Sequence, residues 1–175
     1  MSKIVLWLFL FFVLFSSCGD SNKIQKKKQF DHNKLKLQLE EVQKPAMLME
    51  NDIINSYIQR HNLQVKTTGS GLRYLITHKN LKGESVQTRD IVNVAYTISL
   101  IDGTFCYRGI KDFKLDEDHV ERGLHEGLKL LRKKEKAIFI LPSHLAHGLT
   151  GDDNKIPPRA ILVCEIELRG VKSSL

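Results

Sequence analysis

The sequence contains no apolar run long enough to cross a membrane as a helix. Its longest run, from Ile4 to Phe15, has twelve residues, whereas a membrane-spanning helix needs about 20. Lys3 precedes this run, and the small residues Ser16 and Ser17 follow it. A short basic start, an apolar stretch and small residues are typical of secretion signals, which predicts that residues 1–17 are a signal peptide.

Cysteine is scarce, with three residues in the chain, and one of them directly follows the predicted signal peptide. Small residues before Cys18 resemble the lipobox of bacterial lipoproteins, in which the cysteine is acylated and becomes the new N-terminus. Phe15 stands where that motif usually has Leu. The prediction is a lipoprotein anchored through Cys18 in the bacterial cell envelope and facing the periplasm. The alternative is an ordinary signal peptide that happens to precede a cysteine.

The sequence also lacks an aromatic stacking platform beside its clustered lysines, although its formal charge is +7. Four lysines of residues 18–33 lie next to the predicted anchor, in a polar stretch without periodicity: Lys23, Lys26, Lys27 and Lys28. Nucleic-acid binding needs a basic face and, for single strands, aromatic stacking platforms, so this pattern argues against it. We interpret residues 18–33 as a solvated tether, which could also rest on anionic lipid head groups.

No internal repeat is present, and the remaining chain changes from helical to strand periodicity. Residues 34–66 are predicted to be a helical segment, in which Ile53, Ile54, Tyr57 and Ile58 share one face. Pro45 is expected to start or interrupt a helix. The pattern leaves open whether this segment packs on the following domain or mediates dimerisation.

From residue 67 onward, alternating apolar residues predict an antiparallel α+β domain. The predicted strands are 71–79, 91–100, a less regular 104–118, 136–142 and 159–171. One helix within residues 119–136 separates the third strand from the fourth, and Gly123 and Gly127 are expected to let it approach a sheet closely. The basic run 132–136 is interpreted as the solvated end of that helix. About fifteen residues precede the last strand and end in Ile156-Pro157-Pro158, and loops of that length are usually functional or disordered.

Ordered short motifs over residues 85–172 resemble the FKBP-type peptidyl-prolyl isomerase family. The matching pieces are Val92-Asn93-Val94-Ala95-Tyr96-Thr97, Asp102-Gly103-Thr104, Gly123-Leu124-His125-Glu126-Gly127-Leu128, Leu141-Pro142, Ala146-His147-Gly148 and Ile156-Pro157-Pro158. The resemblance implies a five-stranded antiparallel sheet wrapped around one short helix within residues 67–175. It also implies a pocket between sheet and helix, with the long loop as its rim. The helix and Ser70-Gly71-Leu72-Arg73-Tyr74-Leu75-Ile76 resemble a lipoprotein branch found with bacterial gliding machinery.

The family resemblance implies isomerisation of X–Pro peptide bonds, without a cofactor or metal. Rotation about a peptide bond costs about 18–20 kcal/mol, and an apolar pocket that favours the twisted form over the planar one would lower that barrier. The partners implied are proline-containing polypeptide segments. The alternative function is a non-catalytic binding module or chaperone on a degenerate FKBP fold.

The implied pocket is partly kept and partly changed. Positions that match the family pattern are Tyr96, Phe113, Val120 and Ile156. Positions that depart from it are Cys106 and Tyr107 in place of Phe-Asp, Glu121 in place of an apolar residue, Leu124 in place of Trp, His147 in place of Tyr and Cys164 in place of Phe. Smaller side chains widen the cavity, so we expect isomerase activity to be weak or absent.

Three smaller hypotheses concern histidines and cysteines. His144, His147, Asp152 and Asp153 could bind a metal, but a solvated polar loop explains them as well. Separately, His119 and His125 are predicted to be exposed residues of the helix. Cys106 and Cys164 are predicted to lie close together in the pocket wall, as free thiols in preference to a disulfide.

Overall fold

The computed structural model describes the backbone of residues 32–173 and the side chains of residues 44–173. The chain divides at Pro45 into two compact units, and all contacts given below lie within the second, Ala46–Leu175. The elements in chain order are α1 (His32–Arg60), β1 (Lys66–Thr67), β2 (Arg73–His78), β3 (Ile91–Leu100), β4 (Phe105–Lys114), α2 (Arg122–Leu128), β5 (Lys136–Leu141), a 3-10 turn (Ser143–Leu145) and β6 (Leu162–Lys172). Neither helix, over the described residues, is long and apolar enough to cross a membrane.

The strands form one antiparallel sheet in the order β1-β2-β5-β6-β3-β4. This confirms the predicted antiparallel α+β fold with one short helix after the third long strand. The five longer strands are those expected from the sequence. The sixth, β1, has only two residues, and so short a segment shows no periodicity that could predict it.

Alternation along β3 and β6 places the apolar core on one face of the sheet. Val92, Val94 and Ile98 of β3 are buried, and so are Cys164 and Ile166 of β6. Because successive strand side chains point to opposite faces, these residues share the face that α2 covers. The parity predicted for Cys164 is confirmed.

Helix α2 lies very close to β5 because two of its residues have no side chain. A Cβ atom on Gly123 would lie 2.6 Å from Leu141 Cδ2, and one on Gly127 would lie 2.5 Å from Phe139 Cε2. The expected close approach is therefore confirmed. Real Cβ contacts are never so short, so larger residues would push the helix off the sheet.

Helix α2 is shorter than predicted, and the basic run 132–136 is not a helix end. The helix ends at Leu128, and Lys134 takes a left-handed φ of 70° in the turn that follows. Glu135 is only 3% exposed, and its carboxylate accepts hydrogen bonds from the backbone N–H groups of Asn80 and Arg132, both at 2.8 Å. These bonds stabilise a turn, so the interpretation of a solvated helix end was wrong.

The part of α1 that belongs to the second unit packs on the domain. Ile54 is fully buried against Ile140 and Ile161, whereas Ile53 is 45% exposed and lies on the solvent side. Glu50 accepts hydrogen bonds from the Ser143 backbone N–H at 3.0 Å and from its hydroxyl at 2.6 Å. Pro45 lies inside α1, so the expectation that it starts or interrupts a helix was wrong.

Candidate functional site

A cavity of about 430 Å³ lies between strands β3, β4 and β6 and helix α2. Its base, called the floor below, consists of Val94, Ile98, Leu124, Leu128 and Ile166. These side chains come from the buried face of the sheet and from the face of α2 that covers it. An apolar base of this kind is suited to an apolar ring or side chain.

Most of the predicted pocket residues are brought together around this cavity. Those that line it are Tyr96, Tyr107, Phe113, Val120, Glu121, Leu124 and His147. The other predicted residues, Cys106, Ile156 and Cys164, are 0%, 2% and 0% exposed and lie in the core without lining the cavity. The smaller cysteine side chains do not extend to its surface, and the Ile156 side chain is packed under the loop.

Two of the departures from the family pattern form a bonded pair. His147 Nε2 lies 2.9 Å from Glu121 Oε1, and both side chains line the cavity. Glu121 is the residue before α2 and makes no side-chain capping bond to the helix. Its carboxylate is therefore directed to the imidazole. The two positions are 26 residues apart, so no local pattern predicts the pair.

A second pair joins β4 to the long loop. The Tyr107 hydroxyl donates a hydrogen bond to Asp152 Oδ2. Asp152 Oδ1 accepts bonds from the N–H groups of Asn154 at 3.0 Å and Ile156 at 2.7 Å. The Tyr107 bond, followed by the two backbone bonds, lowers the pKa of Asp152 from 3.8 to about 2, and the same bond raises the pKa of Tyr107. We call Tyr107, Glu121, His147 and Asp152 the mouth of the cavity.

The loop of residues 146–161 is closed by its own backbone. Asp152 N–H donates to the Ile156 carbonyl at 3.0 Å, and Arg159 N–H donates to the Gly148 carbonyl at 2.9 Å. Gly151 has a φ of +77°, and a Cβ there would overlap the Ile156 carbonyl oxygen. Glycine is thus required where the loop passes close to itself. Two residues at the start of this loop, Ala146 and His147, line the cavity, whereas Ile156, expected at the rim, does not.

Tyr96 extends over the neighbouring strand. Its partner in the β3–β4 register is Gly109, and a Cβ on Gly109 would lie 2.9 Å from Tyr96 Oη. The phenol ring therefore uses the space that a side chain on Gly109 would fill. Because Gly109 has no side chain, the Tyr96 ring can line the cavity without a steric clash with strand β4.

Sequence reasoning did not identify seven of the lining residues as site residues: Val94, Ile98, Lys111, His119, Leu128, Ala146 and Ile166. His119 is exposed as predicted, but it lies in the loop before α2 and not in the helix. His125 is in α2 but is only half exposed, because its Nδ1 accepts the Asp116 N–H at 3.0 Å and its ring packs edge-on against Phe113. Exposed charges carry no periodicity, so no sequence signal could have placed Lys111 at the cavity.

The histidines considered as metal ligands bind different partners. His144 Nε2 lies 2.9 Å from the Ser70 carbonyl oxygen, whereas His147 bonds to Glu121. Over the described part of the chain, no three His, Cys, Asp or Glu residues are close enough to hold a metal ion. The geometry gives the metal hypothesis no support.

Cys106 and Cys164 are both free and buried, and strand β3 separates them. Cys164 pairs with Ile98, whose partner on β4 is Tyr107, the residue after Cys106. Two strand spacings put the Cα atoms about 10 Å apart, beyond the reach of about 7 Å that a disulfide requires. The prediction of free thiols is confirmed, but their predicted place in the pocket wall was wrong, because neither lines the cavity. Burial raises the pKa of both thiols.

Comparison with known proteins adds a family to this geometry. A family model described as FKBP-type peptidyl-prolyl cis-trans isomerase matches residues 82–169. The chain is 41% identical over 109 residues to a probable FKBP-type peptidyl-prolyl cis-trans isomerase FkpA of Neisseria meningitidis, which covers 59% of this chain and 39% of that protein. It is 31% identical over 157 residues to FkpA of Buchnera aphidicola from Schizaphis graminum, covering 87% of this chain and 61% of the relative.

Solved structures agree with these matches. The crystal structure of FkpA from Escherichia coli aligns with a TM-score of 0.64 at 28% identity, covering 99% of this chain and 82% of that one. A peptidyl-prolyl cis-trans isomerase from Pseudomonas syringae aligns with a TM-score of 0.65 at 25% identity, covering 74% of this chain and 96% of that one. The sequence matches span about two fifths to three fifths of the curated relatives' lengths.

Proposed function

Because the chain belongs to the FKBP-type peptidyl-prolyl cis-trans isomerase family, we propose that it binds X–Pro segments in the cavity and promotes their isomerisation. The observation that carries this proposal is the apolar cavity itself, which has Tyr96, Phe113 and Val120 around the floor. The partners of the cavity are proline-containing polypeptide segments, and no nucleic acid is involved.

The chemistry requires the cavity to bind the twisted peptide better than the planar one. A planar imide is resonance-stabilised and polar, and rotation costs about 18–20 kcal/mol. Floor residues such as Leu124 and Ile166 offer apolar contact to the proline ring and no competing hydrogen bonds. The twisted imide, with less charge separation, loses less on entering such a surface, so its relative affinity is higher.

We further propose that the activity is weak compared with that of relatives. Leu124 leaves the cavity wider than an aromatic floor residue would, so a proline ring makes fewer contacts with it. Glu121 and His147 add a polar pair where the family resemblance implies an apolar residue and a tyrosine. A half-buried carboxylate disfavours apolar substrate atoms nearby, because its desolvation is costly.

The test is the rate of cis-to-trans conversion of a short X–Pro peptide with the full-length protein. We expect a measurable acceleration that Val120→Trp abolishes, because the indole fills the cavity that Val120 lines. Leu81→Trp is the control, since Leu81 is 81% exposed and does not line the cavity. A wild-type rate equal to the uncatalysed rate would contradict the proposal.

The Glu121–His147 pair also favours a second candidate, a non-catalytic binding module or chaperone. A bonded polar pair at the mouth could hold a peptide through hydrogen bonds without favouring its twisted form. Peptide-induced NMR shifts at cavity residues, together with an unchanged isomerisation rate, would identify this function. An accelerated rate would exclude it.

We propose that the protein is a lipoprotein of the bacterial cell envelope, anchored through Cys18 and facing the periplasm, and that it belongs to the gliding-associated branch. Residues 1–31 lie outside the described residues, so the anchor rests on the basic start, the apolar run and the Ser16-Ser17-Cys18 junction. The branch rests on the resemblance of the helix and of residues 70–76. Stable anchoring takes more than one lipid chain, which a multiply acylated Cys18 would supply.

Metabolic labelling with a fatty acid tests the anchor. Wild-type protein is expected to carry label and to fractionate with membranes, whereas Cys18→Ser is expected to lose both properties. Cys164→Ser is the matched control, since Cys164 is fully buried. Label retained by Cys18→Ser would exclude Cys18 as the acylation site.

A further inference from the structure

We propose that Glu121 makes the cavity selective for X–Pro segments in which X is lysine or arginine. This inference rests on the proposed function, since it concerns the substrate of the same cavity. It follows from the position of one carboxylate, from the bonds that its two oxygens make and from the charges around it.

Glu121 is the only acidic residue among the described residues that line the cavity. Its side chain is 15% exposed, and its Oε1 accepts the His147 hydrogen bond. Oε2 has no protein hydrogen-bond partner within residues 44–173. A poorly solvated carboxylate with one free oxygen is stabilised by a cationic donor, and the cavity is where such a donor would enter.

The His147 bond occupies only one oxygen of this carboxylate. His147 Nε2 is bonded to Oε1, which leaves Oε2 available to a donor from a substrate. The nearby Asp152 cannot serve a substrate in the same way, because both of its oxygens are occupied by Tyr107 and by two backbone N–H groups. Glu121 is therefore the free acceptor at the mouth.

The basic residues near the cavity do not occupy Glu121. Lys111 and His119 line the cavity but are exposed, so water screens their charges. Lys155 donates to the Cys106 carbonyl at 3.0 Å and lies over the rings of Phe105 and Tyr107. None of these cations forms an ion pair with Glu121, which leaves a place for a substrate ammonium or guanidinium group.

Residue X, which precedes the proline, is the substrate residue whose side chain would contact the Glu121 carboxylate. With the proline ring on the floor, the bond that rotates and the side chain before it face the mouth, where Glu121 is placed by the start of α2. A lysine stem can lie on apolar residues such as Val120 while its ammonium group reaches the carboxylate. An acidic X would meet a like charge and be rejected.

The experiment compares peptides Ala-X-Pro-Phe with X as lysine, norleucine or glutamate, using the full-length protein. Norleucine has the straight chain of lysine without the ammonium group. Isomerisation rates and binding, followed by NMR shifts, are measured for wild type, Glu121→Gln and Glu126→Gln. Glu126 lies on the same helix outside the cavity and accepts bonds from Ser70, so its variant makes the same change in net charge.

We expect wild type to prefer lysine over norleucine by about five- to tenfold, and both over glutamate. Glu121→Gln should remove the preference while keeping the His147 hydrogen bond, and Glu126→Gln should retain it. Equal rates for lysine and norleucine in wild type would overturn this inference and leave the proposed isomerase intact. If no peptide is accelerated, the isomerase proposal fails, and the binding order still decides the selectivity: a preference for lysine supports it and no preference overturns it.

Discussion

The floor and the mouth of the cavity are held together in different ways. The floor consists of aliphatic side chains, such as Leu124 and Ile166, that pack by shape and contact. The mouth consists of polar pairs, Tyr107 with Asp152 and Glu121 with His147, each joining elements far apart in the chain. Dispersion contacts are many and exchangeable, whereas a hydrogen bond needs both partners.

The comparison teaches where change is tolerated. A floor side chain can be replaced by another of similar volume at a modest cost, because the neighbours repack. Replacing a mouth residue alone takes away a hydrogen bond from its partner, so the effect is concentrated on that partner. We therefore expect substitutions in the floor to change the stability of the fold and the catalytic rate. Substitutions in the mouth are expected to change the pKa values of neighbouring groups and the substrate specificity.

The largest effect is expected from crowding beneath the floor. Gly127→Ala should lower the free energy of unfolding by about 1–3 kcal/mol, because the new Cβ would meet the Phe139 ring at 2.5 Å. Better helix propensity offsets at most about 1 kcal/mol of this. Urea unfolding measures the change. Gly69→Ala is the control, since nothing lies within 4 Å of a Cβ there, and equal stability of the two variants would contradict the packing argument.

The second largest effect is expected from substitutions that restore aromatic residues to the cavity lining. Leu124→Trp with His147→Tyr should raise kcat/KM for an X–Pro peptide about tenfold, equivalent to about 1.4 kcal/mol, by adding contacts to the proline ring. The indole must fit within a cavity of about 430 Å³. Unfolding is measured alongside, because overpacking costs about 1–3 kcal/mol. No gain in a folded double variant would show that the missing aromatics do not limit the rate.

A smaller, local effect is expected at the mouth. Tyr107→Phe removes the bond that contributes most to the low pKa of Asp152, so that pKa should rise from about 2 toward 3.8. Because the folded pKa is depressed, the stabilisation by Asp152 is fully present above about pH 4 and is lost as the pH falls toward about 2. NMR titration of the Asp152 carboxyl measures the shift. Tyr57→Phe should leave it unchanged, and an unshifted Asp152 in Tyr107→Phe would refute the assignment.

The smallest effect concerns the two thiols beside the floor. In a Cys18→Ser chain, reductant should leave the unfolding midpoint unchanged, because Cys106 and Cys164 form no disulfide. Burial and the raised pKa of both thiols predict slow labelling in the folded protein and rapid labelling of both after denaturation. Fewer than two reactive thiols in the denatured chain would contradict the strand separation described above.

The burial of the floor residues could be predicted from the sequence, whereas the pairing of the mouth residues could not. Alternation in β3 and β6 assigned Val94 and Cys164 to the buried face, because a period of two is a local property of a strand. The spacing of Gly123 and Gly127 likewise predicted a close helix–sheet contact. The family resemblance then placed Tyr96 and Leu124 at one cavity.

The pairs at the mouth depend on tertiary contact. Glu121 and His147 were each identified as departures from the family pattern, but 26 residues separate them and nothing local shows that they meet. Asp152 was considered only as a metal ligand, although its carboxylate organises the loop and accepts the Tyr107 bond. The length of α2 was also overestimated, because a buried Glu135 that stabilises a turn resembles a charged helix residue in sequence.

The contact between Tyr96 and Gly109 has an evolutionary consequence. A side chain on Gly109 would collide with the phenol, whose oxygen would lie 2.9 Å from the new Cβ. A lineage that retains Tyr96 is therefore expected to retain glycine at the facing position, and one that fills position 109 is expected to have shortened residue 96 first. The order of these two changes is constrained, so the two sites should covary among descendants of this sequence even though they are 13 positions apart.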